Sequence, residues 1–364
     1  MLEIYLPIVQ VNVDIFLLLF LSLLVGVLSG LFGVGGGFLM TPFLIFMGIP
    51  PVYAVPNEVN NILATSVSGS LTHWFKNTLD YKMGFMIMCG GLIGTTAGMM
   101  TFSYFSDIGK ISTIISLLYM NLLAIVGTLM LVDTFRESRK KEKVKKKLHE
   151  HNWFQGLPFR MRFPKSRLYE SAFTPILLGL IVGFVAAMMG IGGAFLMVPA
   201  MIYIVGMPVK LIPGTSLFVT IFISAIVTVL HAFNYGSIDL FLVVPLIFGS
   251  IIGVQLGQKL GQYLDSSHLK SLFALLLCSV AIAIAYDSFL RDKTEFSGTQ
   301  IINSDLNALA EFSLKFNNDA PFLYGALAIL LAISLGAITA WVRKIISDMR
   351  KNKPKLEEVK FPSK

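Results

Sequence analysis

The chain is 364 residues long, 55% hydrophobic and only 14% charged, with a mean hydropathy of +0.75. A soluble domain carries about 25% charge, so this composition excludes a soluble globular protein and points to a polytopic membrane protein. The formal net charge of +8 sits in two blocks, Arg136–Trp153 and the tail from Arg343 to Lys364, which read as charge that holds loops in the cytoplasm rather than as nucleic-acid contacts.

In chain order, apolar segments fall at 12–32, 36–48, 58–75, 83–101 and 108–132. After the basic stretch they resume at 172–190, 193–206, 213–233, 238–260 and 268–287, with a last one at 321–343. Each is predicted to be helical, because a helix satisfies its own backbone in lipid. The first run has no basic flank and no cleavage site, and is taken as the first membrane element rather than as a signal peptide. Cys89 and Cys278 lie inside apolar segments and are read as packing residues, not as a disulfide framework.

Segments 36–48 and 193–206 are too short to cross comfortably, and each follows a glycine cluster. "GVGGGFLMTP" at Gly33–Pro42 matches "GIGGAFLMVP" at Gly190–Pro199 with an offset of 157 residues. The same offset pairs Pro51 with Pro208 and Pro56 with Pro213; with two residues inserted, Asp80 pairs with Asp239, Gly94 with Gly253 and Gly98 with Gly257. Four such blocks in order predict two homologous halves. The first repeat spans 12–135, a basic cytoplasmic linker 136–169, and the second repeat 170–288. A polar extracytoplasmic loop at 289–320, an extra helix at 321–343 and a basic cytoplasmic tail at 344–364 follow.

Each half is predicted as a glycine-broken hairpin, or an equivalent pair of crossings, plus three crossing helices. That count is odd, so the halves are inverted. With the linker inside, Lys76, Lys82, Lys210, Lys259, Lys270 and the tail also fall inside, leaving only Lys110, Arg291, Lys293 and Lys315 of the 29 Lys and Arg outside. A single broken crossing per half would send Lys210, Lys259, Lys270 and the tail outside, against the positive-inside bias. The expected fold is therefore all-α and polytopic: two inverted repeats and one extra C-terminal helix.

Inverted repeats with broken elements in matching positions are the pattern of a secondary transporter. Glycines permit a sharp turn at membrane depth. The short helix that follows opens with unpartnered N–H groups and the positive end of its dipole, which attract an anion. The candidate substrate-binding residues are Gly35, Gly36, Gly37, Gly192 and Gly193, with Thr215 and Ser216, which open a helix. Two such ends could converge on one anion near the midplane. The competing reading is close helix packing, and it is the one adopted for Gly94, Gly98, Gly253 and Gly257.

At these residues the chain resembles the TauE/SafE family, also called the 4-toluene sulfonate uptake permeases. The likeness lies in "SGLFGVGGGFLMTP", "AAMMGIGGAFLMVP", "LIPGTSLF" and "ATSVSGSLTHWFKNTLDYKMG", and covers about residues 12–287. The resemblance implies a multi-pass permease of the bacterial inner membrane for a sulfur-containing anion: sulfite, thiosulfate or an organosulfonate. The chain departs from the motif in its first half, which reads "NEVN" where the second has "GTSL", so that Glu58 stands opposite Thr215.

Polar groups at membrane depth are functional candidates. The hydroxyls of Thr215 and Ser216 either cap their helix or bond an oxyanion. Thr65, Ser66 and Ser68 bond either backbone or substrate, and Asn57, Asn60 and Asn61 line a cavity or sit at an interface. Glu58, His73 and His231 are the candidates for proton coupling, as a carboxylate in an apolar segment and two imidazoles that titrate near neutrality. No spacing suggests a metal site, a cofactor or ATP hydrolysis. The expected partners are a small anion and the bilayer, not nucleic acid. The alternative class is a membrane-embedded enzyme or assembly subunit, but the five histidines are scattered where an enzyme would cluster them, and a purely structural subunit would not need paired broken helices.

Overall fold

The structure is a computed structural model that describes residues 3–32, 37–139, 159–208, 210–260, 266–289 and 308–351. It is almost entirely helical. The first half contains α1 (Ile15–Phe32), α2 (Gly37–Phe46), α3 (Pro51–Phe75), α4 (Tyr81–Asp107) and α5 (Ile111–Arg139). The second contains α6 (Phe173–Met189), α7 (Ala194–Tyr203), α8 (Ile212–Tyr235), α9 (Leu240–Leu260) and α10 (Ser266–Phe289). They are followed by α11 (Ala308–Asp319) and α12 (Pro321–Lys351). Among the described residues, α4, α8 and the apolar parts of α5, α9 and α12 are long and apolar enough to cross a membrane. The broken elements α2 and α7 have 10 residues each, about 15 Å of helix, half the hydrocarbon thickness.

The halves interlock rather than lie side by side. α1 packs along α9 and α4 along α6, while α3 packs on α8 and α5 on α10. Under the 157-residue offset α1 corresponds to α6, and α4, with the two-residue insertion, to α9, so the first two contacts are one contact formed twice. Both are closed by glycine. A Cβ at Gly94 would fall 2.0 Å from the Leu180 carbonyl oxygen, and one at Gly253 would fall 2.2 Å from that of Leu23. These glycines pack backbone against backbone, as the small-residue reading expects.

α3 and α8 run antiparallel. A Cβ at Gly214, at the start of α8, would meet His73 and the Thr78 carbonyl at the end of α3. Asn57, near the start of α3, donates 3.0 Å to the Ser237 carbonyl just past the end of α8. α3 begins at Pro51, earlier than the apolar pattern suggests; Pro51 opens the helix, where a missing N–H costs nothing. Most of α3 is buried, including Asn57, Glu58, Asn60 and Asn61.

Two antiparallel hairpins are additions to the all-helical expectation. β1 (Glu3–Leu6) pairs with β2 (Val11–Asp14), and β3 (Arg160–Phe163) with β4 (Leu168–Ser171). They obey the same offset: Pro7 and Pro164 open the two turns, and Gln10 and Arg167 both take left-handed φ, 59° and 54°. Each holds an aspartate that caps a helix. Asp239 accepts the N–H of Ile8 at 2.9 Å and that of Phe241 at 3.0 Å. Asp80 accepts the N–H of Met83 at 3.1 Å, that of Ser166 at 3.1 Å, and the Ser166 hydroxyl. Each hairpin thus pins a corner of the opposite half. Within the stretch read as a polar loop, α11 docks through Asn317, which donates 2.8 Å to the Gly236 carbonyl, and Ser313, 2.8 Å from the Tyr324 hydroxyl.

Candidate functional site

The second glycine break lies between α6 and α7. The last carbonyls of a helix need partners from outside it, and side chains from two other helices reach them. The Tyr119 hydroxyl of α5 donates to the Met189 carbonyl at 2.5 Å, and His231 Nε2 of α8 lies 3.3 Å from the Ala187 carbonyl. The chain then turns through Gly190, Gly192 and Gly193 with φ of +73°, +68° and +82°, the left-handed region that side chains disfavour. Gly193 is the N-cap of α7, with no side-chain capping bond. The positive end of the α7 dipole therefore lies at this turn.

The turn lies on α3. A Cβ at Gly192 would fall 2.5 Å from Ile62 Cγ2, and one at Gly190 would fall 2.9 Å from the Val55 carbonyl oxygen. Ile62 is midway along α3, so α7 opens near the middle of the bundle. Glu58 is one turn before Ile62 on the same face of α3. It is fully buried. Asn61 Nδ2 donates to both its oxygens, at 3.3 and 3.2 Å, and to Ser250 Oγ of α9 at 3.0 Å. The arrangement offers a positive dipole end to an anion, one helical turn along α3 from a buried carboxyl group that can carry a proton.

Gly192, Gly193, Glu58 and His231 are brought together here. Gly35 and Gly36 lie outside the described residues, and Gly37 is the first residue of α2. Thr215 and Ser216 lie elsewhere. Their neighbour Gly214 packs on His73, eleven residues and about 16 Å further along α3 than Ile62. The Thr215 hydroxyl donates to the Leu211 carbonyl at 2.8 Å and accepts the Asp80 N–H at 3.0 Å, while Ser216 donates to the Pro213 carbonyl at 3.1 Å. These are the backbone bonds of the capping reading. His73 Nδ1 is 2.9 Å from the Thr78 hydroxyl, at the opposite end of the bundle from His231. Thr65 likewise bonds backbone, donating 3.0 Å to the Ile62 carbonyl.

Sequence reasoning missed Tyr119, which has no partner in the repeat, and the aspartate-holding hairpins. The recurrence of Pro7 as Pro164 was the available signal for the latter. Among the described residues no group of three His, Cys, Asp or Glu is placed to hold a metal ion, and Cys89 and Cys278 are free thiols.

Residues 18–284 match the family model described as sulfite exporter TauE/SafE. The chain is 28% identical over 261 residues to the probable membrane transporter protein YjnA of Bacillus subtilis, covering 71% of this chain and 95% of that protein. It is 25% identical over 279 residues to the probable membrane transporter protein YunE of the same organism, covering 74% and 97%. It is also 26% identical over 278 residues to the probable membrane transporter protein MJ0441 of Methanocaldococcus jannaschii, covering 72% and 91%. No solved structure gives a significant match.

Proposed function

The chain belongs to the TauE/SafE family, a family of membrane transporters, and from that premise we propose that it is a secondary permease for a small sulfur-containing oxyanion such as sulfite, thiosulfate or an organosulfonate. The anion binds at the N-terminal end of α7 near the middle of the bilayer, and by the repeat at that of α2. One observation carries this reading. A helix N-terminus follows three left-handed glycines packed on the midpoint of α3, one helical turn from the fully buried Glu58. Non-helical backbone at membrane depth is tolerated where it lines a cavity or is buried in protein, and an anion is the ligand that such a terminus favours.

Glu58 is the coupling residue, taking up a proton as the anion enters, with His231 beside the same break. The halves are inverted: the antiparallel packing of the equivalent helices α3 and α8 supports this, as does the lysine distribution. The repeats extend back to include their hairpins, from about residue 3 and residue 160. The 136–159 linker and the C-terminus face the cytoplasm of a bacterial inner membrane. A cysteine placed in the tail that reacts with an impermeant reagent in intact cells would contradict this orientation.

The test is flux of radiolabelled sulfite, thiosulfate and sulfonates into and out of proteoliposomes. Saturable flux of one of them, without ATP, is the expected result. No flux of any of them in either direction would leave the substrate assignment without support.

A further inference from the structure

The face that α8 turns toward α3 carries two hydroxyls with no assigned role and, beyond them, His231. Leu217 marks that face, because a Cβ at Gly69 of α3 would fall 2.6 Å from its Cδ1. Two, three and four turns further along the same face stand Ser224, Thr228 and His231. On α3, two, three and four turns back from Gly69 stand Ile62, Glu58 and Val55. The helices are antiparallel, so Ser224 lies across from Ile62, Thr228 across from Glu58, and His231 across from Val55. Gly192 and Gly190 touch Ile62 and Val55, which places the glycine turn at the same level.

All three α8 residues are fully buried. Among the described residues the Ser224 hydroxyl, the Thr228 hydroxyl and His231 Nδ1 have no hydrogen-bond partner. Serine and threonine in helices commonly donate to the carbonyl four residues back, as Thr220 does to Ser216 at 2.9 Å. Ser224 and Thr228 do not. An unpaired buried polar atom is costly, and three on one stripe are unexpected unless something polar occupies the seam.

We propose that Ser224, Thr228 and His231 line a subsite in the α3–α8 seam that takes a small oxyanion carrying one proton. The proposal rests on the permease reading and adds the wall opposite Glu58. Each hydroxyl has a hydrogen to donate, so the ligand presents acceptor oxygens. His231 Nε2 faces a carbonyl, which can only accept, so Nε2 holds the ring proton and Nδ1 is a bare acceptor. The ligand must therefore bring an O–H to Nδ1. The titratable groups facing the seam are His231 from α8 and Glu58 from α3, with Tyr119 from α5 at the Met189 carbonyl. Glu58 repels an anion when charged and donates a hydrogen bond to one when protonated. Hydrogensulfite fits this set; thiosulfate, which brings no proton, fits it less well.

The test uses purified full-length protein, Thr228→Val, Thr228→Ser and Ser224→Ala, each melted alone and with sulfite or thiosulfate. Without ligand, Thr228→Val and Ser224→Ala are expected to melt at or above the wild-type temperature, because each removes an unpaired hydroxyl. With sulfite, both are expected to bind about tenfold more weakly or worse, Thr228→Ser is expected to bind as wild type does, and wild type is expected to hold sulfite more tightly than thiosulfate. Lower ligand-free melting temperatures in both hydroxyl-free variants would show that the hydroxyls serve the fold, and would overturn the subsite. So would undiminished sulfite binding in both, or a Thr228→Ser loss equal to that of Thr228→Val. If wild type responds to neither anion, the substrate assignment fails, and the ligand-free arm still decides whether the hydroxyls are structural.

Discussion

Two kinds of seam cross the centre of this molecule. Along α4–α6 and its counterpart α1–α9, glycines bring backbone against backbone, leaving no room for a methyl group at Gly94 or Gly253. Along α3–α8 the contact is looser in chemistry: Glu58, Ser224, Thr228 and His231 stand at matching levels of the two helices in full burial, and among the described residues Ser224, Thr228 and His231 keep unpaired atoms. The difference separates two uses of rare residues in a membrane. In the first seam glycine supplies proximity, and the energy is dispersion between helices. In the second, polar groups persist where lipid-like packing would be more stable, a cost that substrate handling offsets under the permease proposal. The glycine turn at 190–193 belongs to the second seam although it is made of the residue type of the first.

Substituting the glycine seam should give the largest loss of stability. Gly94→Val forces α4 and α6 apart along their length; overpacking of this kind costs about 3 kcal/mol or more, a fall in melting temperature of roughly 4 °C or more. A Gly94→Val protein that melts as wild type does would remove the distinction between the seams. Glu58→Gln acts on the other seam and should leave the melting temperature nearly unchanged, since an amide oxygen still accepts from Asn61. Its effect should fall on transport, whose pH profile becomes flat across the range where wild type varies. Normal transport with an unchanged pH profile would leave Glu58 with no coupling role. The smallest effect on function is expected at a corner outside both seams. Ser166→Ala removes a hydroxyl donor to Asp80 and should cost about 2 kcal/mol, with the loss read by melting and anion binding unaltered. Loss of binding in that variant would mean that the hairpin reaches the seam.

Much of this was legible in the sequence. Long apolar segments and the 157-residue offset gave the ten helices of the two halves, and the shortness of 36–48 and 193–206 marked the half-helices. The hairpins were not legible under the assumption that every apolar stretch near lipid is helical. They lie at the ends of the bundle, where the strands pair with each other and Asp239 and Asp80 accept the turn N–H groups of Ile8 and Ser166. The grouping of Thr215 and Ser216 with Gly192 and Gly193 failed for another reason. Equivalent positions in antiparallel helices sit at mirrored depths, so the residue equivalent to Glu58 lies about as far from the middle in the opposite direction. Ser224 and Thr228 have no polar counterparts in α3, where Val67 and Leu71 stand, and comparing the repeats therefore hides them.

The central claim is that the glycine turn on α3 holds the anion, and one binding measurement tests it most directly. Ligand-induced thermal stabilisation of purified Gly193→Val, beside wild type and Gly94→Val, reads occupancy as RT ln(1 + [L]/Kd). A side chain at Gly193 must be accommodated at φ +82° against Val182 Cγ1 at 2.5 Å, at the mouth of the α7 amides. The account predicts that folded Gly193→Val loses the stabilisation by sulfite, while Gly94→Val melts lower and keeps it. A Gly193→Val protein with an undiminished sulfite shift would contradict the account, and would make this turn a packing element with the anion bound elsewhere.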